Sequence, residues 1–153
     1  MWKAVAASLV TAIGLAGTVF AQEATKDECV AKCKEAAQLI TDEGLSAAIT
    51  KINMAHGPFV WKDSYVFLMD LDGTMLAHPV MPDLIGKNLL ELPDKGPDKK
   101  LFIKDFIKVA KSPSAGWVDY VWPRPSHKAP AKKRSYIYRV PGKDVFVAAG
   151  VYE

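Results

Sequence analysis

The sequence predicts an α+β domain in which a five-stranded antiparallel sheet carries its helices on one side. Three observations on the 153-residue chain lead to this prediction. Two segments near the N-terminus have helical periodicity, an Asp-Gly turn joins two β-prone runs, and three strand-like runs close the chain. No helical pattern separates those last three runs, so we expect them to pair antiparallel. Half of the residues are hydrophobic and 24% are charged, which is typical of one globular domain.

The first 21 residues have the pattern of a secretory signal segment. Lys3 gives a positive start, and an apolar run follows from Ala4 to Ala21, whose last three residues fit the small-x-small pattern before a cleavage site. We predict a signal peptide over residues 1–21, cleavage after Ala21 and an exported domain over residues 22–153. An uncleaved anchor is the alternative, because the run approaches the roughly 20 residues of a membrane span.

Two helices are predicted in the first third of the exported domain. Ala24 to Ile40 carries an apolar stripe at helical spacing, Gly44 interrupts it, and a shorter helix follows from Leu45 to Ile52. The stripe contains both cysteines, Cys29 and Cys33. A bridge within one helix is geometrically unfavourable, so we predict two small buried residues, with an intermolecular bridge between two such helices as the alternative.

A β-hairpin is predicted around Asp70-Leu71-Asp72-Gly73. The runs Tyr65–Met69 and Thr74–Ala77 flank these residues, and Asp-Gly between β-prone runs is a strong hairpin signal. A hydrophobic strand followed by D-x-D-G-T also resembles the opening motif of haloacid-dehalogenase-type phosphatases. In those enzymes the first Asp is a nucleophile and the second a general acid, both beside Mg²⁺.

The rest of the phosphatase machinery is missing from this sequence. That chemistry needs a downstream Ser or Thr, a Lys and late acidic residues after another strand, and the fold needs alternating βα units. We therefore predict that Asp70 and Asp72 are turn residues. His56, His78 and His127 share no metal-ligand spacing. The sequence thus predicts no catalytic residue, no metal site, no cofactor and no enzyme activity.

The second half of the domain is predicted to contain one helix and three strands. Asp98 caps the helix, which runs to about Lys111. The strands follow at Trp117–Trp122, Arg134–Val140 and Val145–Tyr152. The last strand is apolar on both faces, which predicts a central position in the sheet.

Alternation separates the two faces of the first of these strands. One face carries Val118, Tyr120 and Trp122, and the other carries Trp117, Asp119 and Val121. The net charge of +3 is too small to favour a nucleic-acid partner. The basic run from Lys128 to Arg134 is predicted to be a solvated loop.

Four aromatic residues beside two cations form the candidate binding site. They are Tyr120, Trp122, Tyr136 and Tyr138, with Lys133 and Arg134. Core packing explains each ring singly. Together, polar-tipped rings beside a cation suit a small organic anion, because the rings supply an apolar wall while hydroxyls and an ammonium hold a carboxylate.

Five blocks of the sequence together resemble the single Cache domain of the second type. They are VFLMDLDGTMLAHP (66–79), LIGKNLLEL (84–92), GWVDYVWP (116–123), KRSY (133–136) and AAGVY (148–152). The resemblance implies a PAS-like five-stranded antiparallel sheet behind a long N-terminal helix. It also implies an extracytoplasmic sensor whose pocket, between the sheet and the segment after the hairpin, binds small ligands that are often short carboxylates. The candidate ligand-binding residues that it implies are His78, Trp117, Tyr120, Trp122, Lys133 and Tyr136.

These observations lead us to expect a periplasmic, stand-alone binding domain. It would capture a small carboxylate and present it to a membrane-bound receptor, kinase or transport partner, since the sequence shows neither a second membrane span nor an output domain. A structural or interaction protein that forms a homodimer through its first helix is the main alternative. A phosphatase that uses Asp70 is the third.

Overall fold

The computed structural model describes residues 22–153, so the predicted signal segment and its cleavage site lie outside the described residues. No helix in this part of the chain is long and apolar enough to cross a membrane. In chain order the elements are α1 (Lys26–Glu43), α2 (Leu45–Ile52), β1 (Val60–Trp61), β2 (Ser64–Asp70), β3 (Met75–Ala77), a 3₁₀ turn (Pro82–Leu84), α3 (Phe102–Lys111), β4 (Gly116–Pro123), β5 (Pro130–Arg139) and β6 (Val145–Tyr152).

The strands form one antiparallel, PAS-like sheet in the order β1-β2-β6-β5-β4, with β3 also paired to β2. Five strands, β2 to β6, make the body of the sheet, and β1 adds two residues at its edge. The central position predicted for β6 is confirmed, because β6 pairs with β2 on one side and with β5 on the other. The predicted α+β fold class is confirmed as well.

Helix α1 covers one face of the sheet. It begins at a capping box, in which Thr25 Oγ1 accepts a hydrogen bond from the Glu28 N–H and a Glu28 carboxylate oxygen accepts one from the Thr25 N–H. It ends at Gly44, which has a φ of +88°. Its buried stripe of small and aliphatic residues packs with α2 against the alternate side chains of β2 and β6. We refer to this side of the sheet as the α1 face.

The buried stripe contains both thiols, as predicted. Cys29 Sγ lies 3.9 Å from Ser64 Oγ, and Cys33 Sγ lies 3.9 Å from the Tyr136 carbonyl oxygen. Both cysteines are free and fully buried against the sheet. An intermolecular bridge would require thiols on the outer surface of α1, so that alternative is wrong for this fold.

Helix α3 lies on the opposite face of the sheet, which we call the α3 face. The expectation that helices cover one side only is therefore wrong for this helix. Successive side chains of β2 point to opposite faces, and the Tyr65, Phe67 and Met69 side chains pack against Phe102 and Phe106 of α3. Because the central strands are apolar on both faces, each face needs its own cover.

The predicted cap of α3 is also wrong, because the helix begins at Phe102 rather than near Asp98. Asp94 explains the difference. One of its carboxylate oxygens accepts hydrogen bonds from the N–H groups of Gly96 and Lys100, and the other accepts one from Val121 N–H in β4. These bonds hold the preceding chain along the edge of β4, so the helix starts only after that contact ends.

The central hairpin has the predicted turn. Asp70 Oδ1 accepts hydrogen bonds from the N–H groups of Asp72 and Thr74, and Gly73 has a φ of +92°. The basic run is placed differently from the prediction. Strand β5 begins at Pro130, so Lys133 lies in the sheet and is 2% exposed, whereas its neighbour Lys132 is exposed.

Candidate ligand-binding site

A small cavity lies on the α3 face of the sheet. It is enclosed by side chains of β2, β3, β4 and α3 and by the segment that follows the hairpin, including His78 and Leu89. Its volume is about 20 Å³, which is roughly the space that one water molecule needs. A small organic ligand therefore enters only if this cover moves outward.

Lys133 brings a buried positive charge next to Tyr65 and Tyr120, two residues that line this cavity. Its Nζ donates a hydrogen bond to the Tyr65 hydroxyl over 3.1 Å and lies 4.1 Å from the centre of the Tyr65 ring and 4.9 Å from that of Tyr152. Within residues 22–153, no carboxylate pairs with this ammonium. Ring faces and a phenol oxygen offset only part of the cost of burying a cation, so the site lacks an anion.

Gly150 makes room for the Lys133 side chain. In the pairing of β5 with β6, Gly150 lies opposite Ser135. A Cβ atom at position 150 would lie 2.8 Å from Lys133 Cε and would also overlap the Ser135 hydroxyl. That hydroxyl is 2.9 Å from the hydroxyl of Tyr120. The missing side chain of Gly150 thus lets Lys133 and Ser135 lie flat across the centre of the sheet.

His78 faces the same cavity as a neutral donor. Its Nδ1 accepts hydrogen bonds from the N–H groups of Met81 (2.9 Å) and Val80 (3.3 Å). Burial, with a smaller contribution from the charge of Lys133, lowers the pKa of His78 to about 3. The ring is therefore uncharged at neutral pH, and because Nδ1 accepts, its single proton lies on Nε2.

Aromatic rings form the remaining wall. The Tyr120 ring stacks on Phe102 with 4.5 Å between centroids, and Trp122 lies 5.3 Å from the same phenylalanine. Burial raises the pKa of Tyr120 and of Tyr152, so both phenols are neutral at pH 7 and supply no negative charge to Lys133. The arrangement can hold a small molecule with one anionic end and one apolar end.

Three of the six predicted ligand-binding residues line this cavity, namely His78, Tyr120 and Trp122, and Lys133 contacts the lining residue Tyr65. The other two do not join them. Trp117 and Tyr136 are partners across β4 and β5 on the α1 face, with their ring centroids 5.3 Å apart. One pocket on the α3 face therefore excludes both side chains.

Sequence reasoning missed Tyr65 and Tyr152, which surround the ammonium of Lys133. Both lie in strands that are apolar on both faces, so no alternation marks their orientation. The one available signal was the spacing of Tyr65 and Phe67, which places two aromatic residues on the same face of β2. Within residues 22–153, no group of His, Cys, Asp or Glu side chains could hold a metal ion.

Comparison with known proteins identifies relatives of this architecture. A family model described as the Cache domain matches residues 31–153. Over 90 residues the chain is 32% identical to the methyl-accepting chemotaxis protein McpP of Pseudomonas putida. The matched segment is 59% of this chain and 16% of that protein. Over 91 residues it is 35% identical to the sensor histidine kinase MctS of Rhizobium johnstonii, a match that covers 60% of this chain and 19% of that protein. The chain thus spans less than a fifth of these curated relatives.

Solved structures share the fold over most of the chain. A methyl-accepting chemotaxis protein from Vibrio parahaemolyticus superimposes with a TM-score of 0.69 and 25% identity, over 83% of this chain and 87% of that one. A Cache chemosensory domain, described for its recognition of carboxylic acids, superimposes with a TM-score of 0.64 and 26% identity, over 80% and 84%.

Proposed function

Because this chain belongs to the Cache domain family, we propose that it is an exported sensor domain that binds a short carboxylate and presents it to a membrane-bound signalling or transport partner. The observation that carries the proposal is Lys133, a buried cation with no carboxylate partner in the described chain, beside a cavity with aromatic walls. The relatives that are named as a chemotaxis protein and a sensor kinase support the signalling role.

The polar groups around the cavity suit one carboxylate. One oxygen would accept a hydrogen bond from Lys133 Nζ, and the Nε2–H of His78 would donate to the second. Hydrogen bonds to charged groups are roughly twice as strong as neutral ones. The apolar end of the ligand would contact Phe102 and Trp122. Since Lys133 is the single buried cation in the described chain, a second carboxylate would be buried without a partner, and we expect monocarboxylates to bind best.

Calorimetric titration of the purified protein tests this function. Acetate and propionate are expected to bind, while succinate and the neutral isostere acetamide are expected to bind far more weakly. Lys133→Met keeps the length of the side chain but removes its charge, and should weaken carboxylate binding by about a hundredfold or more. Lys132→Met is the matched control, because Lys132 is the exposed neighbour on the same strand. Carboxylate affinity that is equal in both variants would overturn the assignment.

A further inference from the structure

Arg124 joins the two ends of the described domain. It follows directly after β4, and its guanidinium lies 3.3 Å from a carboxylate oxygen of Asp63 and 3.8 Å from one of Glu23, which precedes α1. It also donates a hydrogen bond to the carbonyl oxygen of Glu153 over 3.3 Å. Asp63 in turn accepts a hydrogen bond from Ala24 N–H over 2.7 Å. One side chain therefore holds both the approach to α1 and the end of β6.

Tyr152 lies between this arginine and the candidate site. Its ring centroid is 5.3 Å from Arg124 Cζ and 4.9 Å from Lys133 Nζ, so two cations share one aromatic ring. Its hydroxyl donates to the carbonyl oxygen of Pro123, the residue before Arg124. Lys133 and Tyr152 are also direct partners across β5 and β6. The structure thus contains a continuous contact from the unpaired ammonium to both ends of the domain.

We propose that Tyr152 and Arg124 couple the charge of the Lys133 site to the two ends of the domain. The inference rests on the proposed function, because a bound carboxylate is the natural source of a change in that charge. A cation is attracted to an aromatic ring by the ring quadrupole. When an anion pairs with Lys133, the ammonium interacts less with Tyr152, and the ring becomes a better partner for Arg124.

A stronger contact between Arg124 and Tyr152 changes the contacts that Arg124 makes elsewhere. The guanidinium moves toward the ring and away from Asp63 and Glu23, and the segment before α1 is then held less firmly. Coupling of this kind is reciprocal, so whatever fixes the two ends of the domain also alters ligand affinity by the same factor. Arg124 and Tyr152 therefore transmit a change at the site to the ends of the domain, and they do not contact the ligand.

Amide hydrogen exchange at Ala24, followed by NMR, tests the coupling. Acetate added to the wild-type protein, and Lys133→Met without any ligand, should both increase the exchange rate at Ala24, by about two- to fivefold. In an Arg124→Gln or Tyr152→Leu background, neither treatment should change the rate further. Tyr152→Phe keeps the ring and loses only the hydroxyl, so the response should persist.

Two control variants separate coupling from a general loss of structure. Lys132→Met and Arg139→Gln change exposed or half-exposed cations of the same strand and should leave Ala24 exchange unchanged. Equal Ala24 exchange in wild type and Lys133→Met would overturn the coupling. A response that persists in Arg124→Gln would overturn its route. If no carboxylate binds but Lys133→Met still increases exchange, the coupling stands and the proposed ligand is wrong.

Discussion

Both faces of the sheet are covered, but the residues that fill their centres differ. On the α1 face, small and aliphatic side chains such as Ala36, Ile40 and Val147 fit together without a buried charge. On the α3 face, aromatic rings surround Lys133 and His78, and a cavity remains between them. The same strands contribute to both faces, so the difference lies in the side chains and not in the backbone.

This contrast shows how a site can be recognised without a ligand. Burying a charged or polar group costs free energy unless it is fully paired, so a face that serves only stability has no reason to contain one. The α1 face contains no buried charge. The α3 face contains two such groups, Lys133 and His78, and the proposed function assigns a carboxylate as their partner.

Truncation on the α1 face should have the largest effect on stability. Ile40 is fully buried between α1 and the sheet, and Ile40→Ala should lower the free energy of unfolding by about 3 kcal/mol in urea denaturation. Gln38→Ala, an exposed position on the same helix, should change it by less than about 0.5 kcal/mol. Carboxylate affinity should be unchanged in both, and a parallel loss of affinity would mean that the two faces are not independent.

The α3 face should make the stability of the protein depend on pH, whereas the α1 face should not. The pKa of His78 is about 3 in the fold, against an ordinary 6.5, so between these values the unfolded chain binds a proton that the folded protein does not. Stability should therefore fall as the pH falls through 6.5, by about 2 kcal/mol from pH 7 to pH 5. Urea denaturation at several pH values should show a smaller loss in His78→Asn. An equal change of the free energy of unfolding with pH in His78→Asn and in the exposed control His127→Asn would contradict this.

Removal of the buried charge should act in the opposite direction to truncation on the α1 face. Lys133→Met replaces an uncompensated cation with an apolar side chain of similar length, and should leave stability unchanged or raise it by about 1–2 kcal/mol. Carboxylate binding should weaken by about a hundredfold or more in the same variant. Lys132→Met should have no effect on either quantity. If Lys133→Met were destabilising by more than about 1 kcal/mol, the ammonium would be a structural group rather than a binding group.

The two thiols of the α1 face should react only very slowly with a thiol reagent. Burial raises the pKa of Cys29 to about 11 and that of Cys33 well above its ordinary value. A thiol reagent at pH 8 should therefore label both residues at least about a hundredfold more slowly in the native protein than in urea. Ala31→Cys places an exposed thiol on the same helix and should react at once. Fast native labelling of Cys29 would show that α1 separates from the sheet.

The parts of the fold that depend on local pattern could be predicted from the sequence. Alternation in β4 separates Tyr120 and Trp122 from Trp117, and the apolar character of β6 indicates its central place. The side of the sheet that α3 covers could not be predicted in this way. Helical periodicity shows which side of a helix is buried, but not which of two apolar sheet faces it meets.

The site is less predictable because it depends on contacts between distant strands. Lys133 lies in a run of cations that is typical of a solvated loop, and its burial depends on Tyr65, Tyr152 and the absent side chain of Gly150. The register of β4 with β5 pairs Tyr136 with Trp117, which removes both from the pocket. Such facts follow from strand order, and no single segment of the sequence contains them.

The small volume of the cavity also bears on how fast a ligand could bind. With room for about one water molecule, the cavity would admit the proposed carboxylate only after its cover moves, so the opening of the cover would limit association more than diffusion does. The same cover delays release. Under the proposed function, a sensor with this geometry would average the concentration of its ligand over the interval between openings and would not follow faster fluctuations.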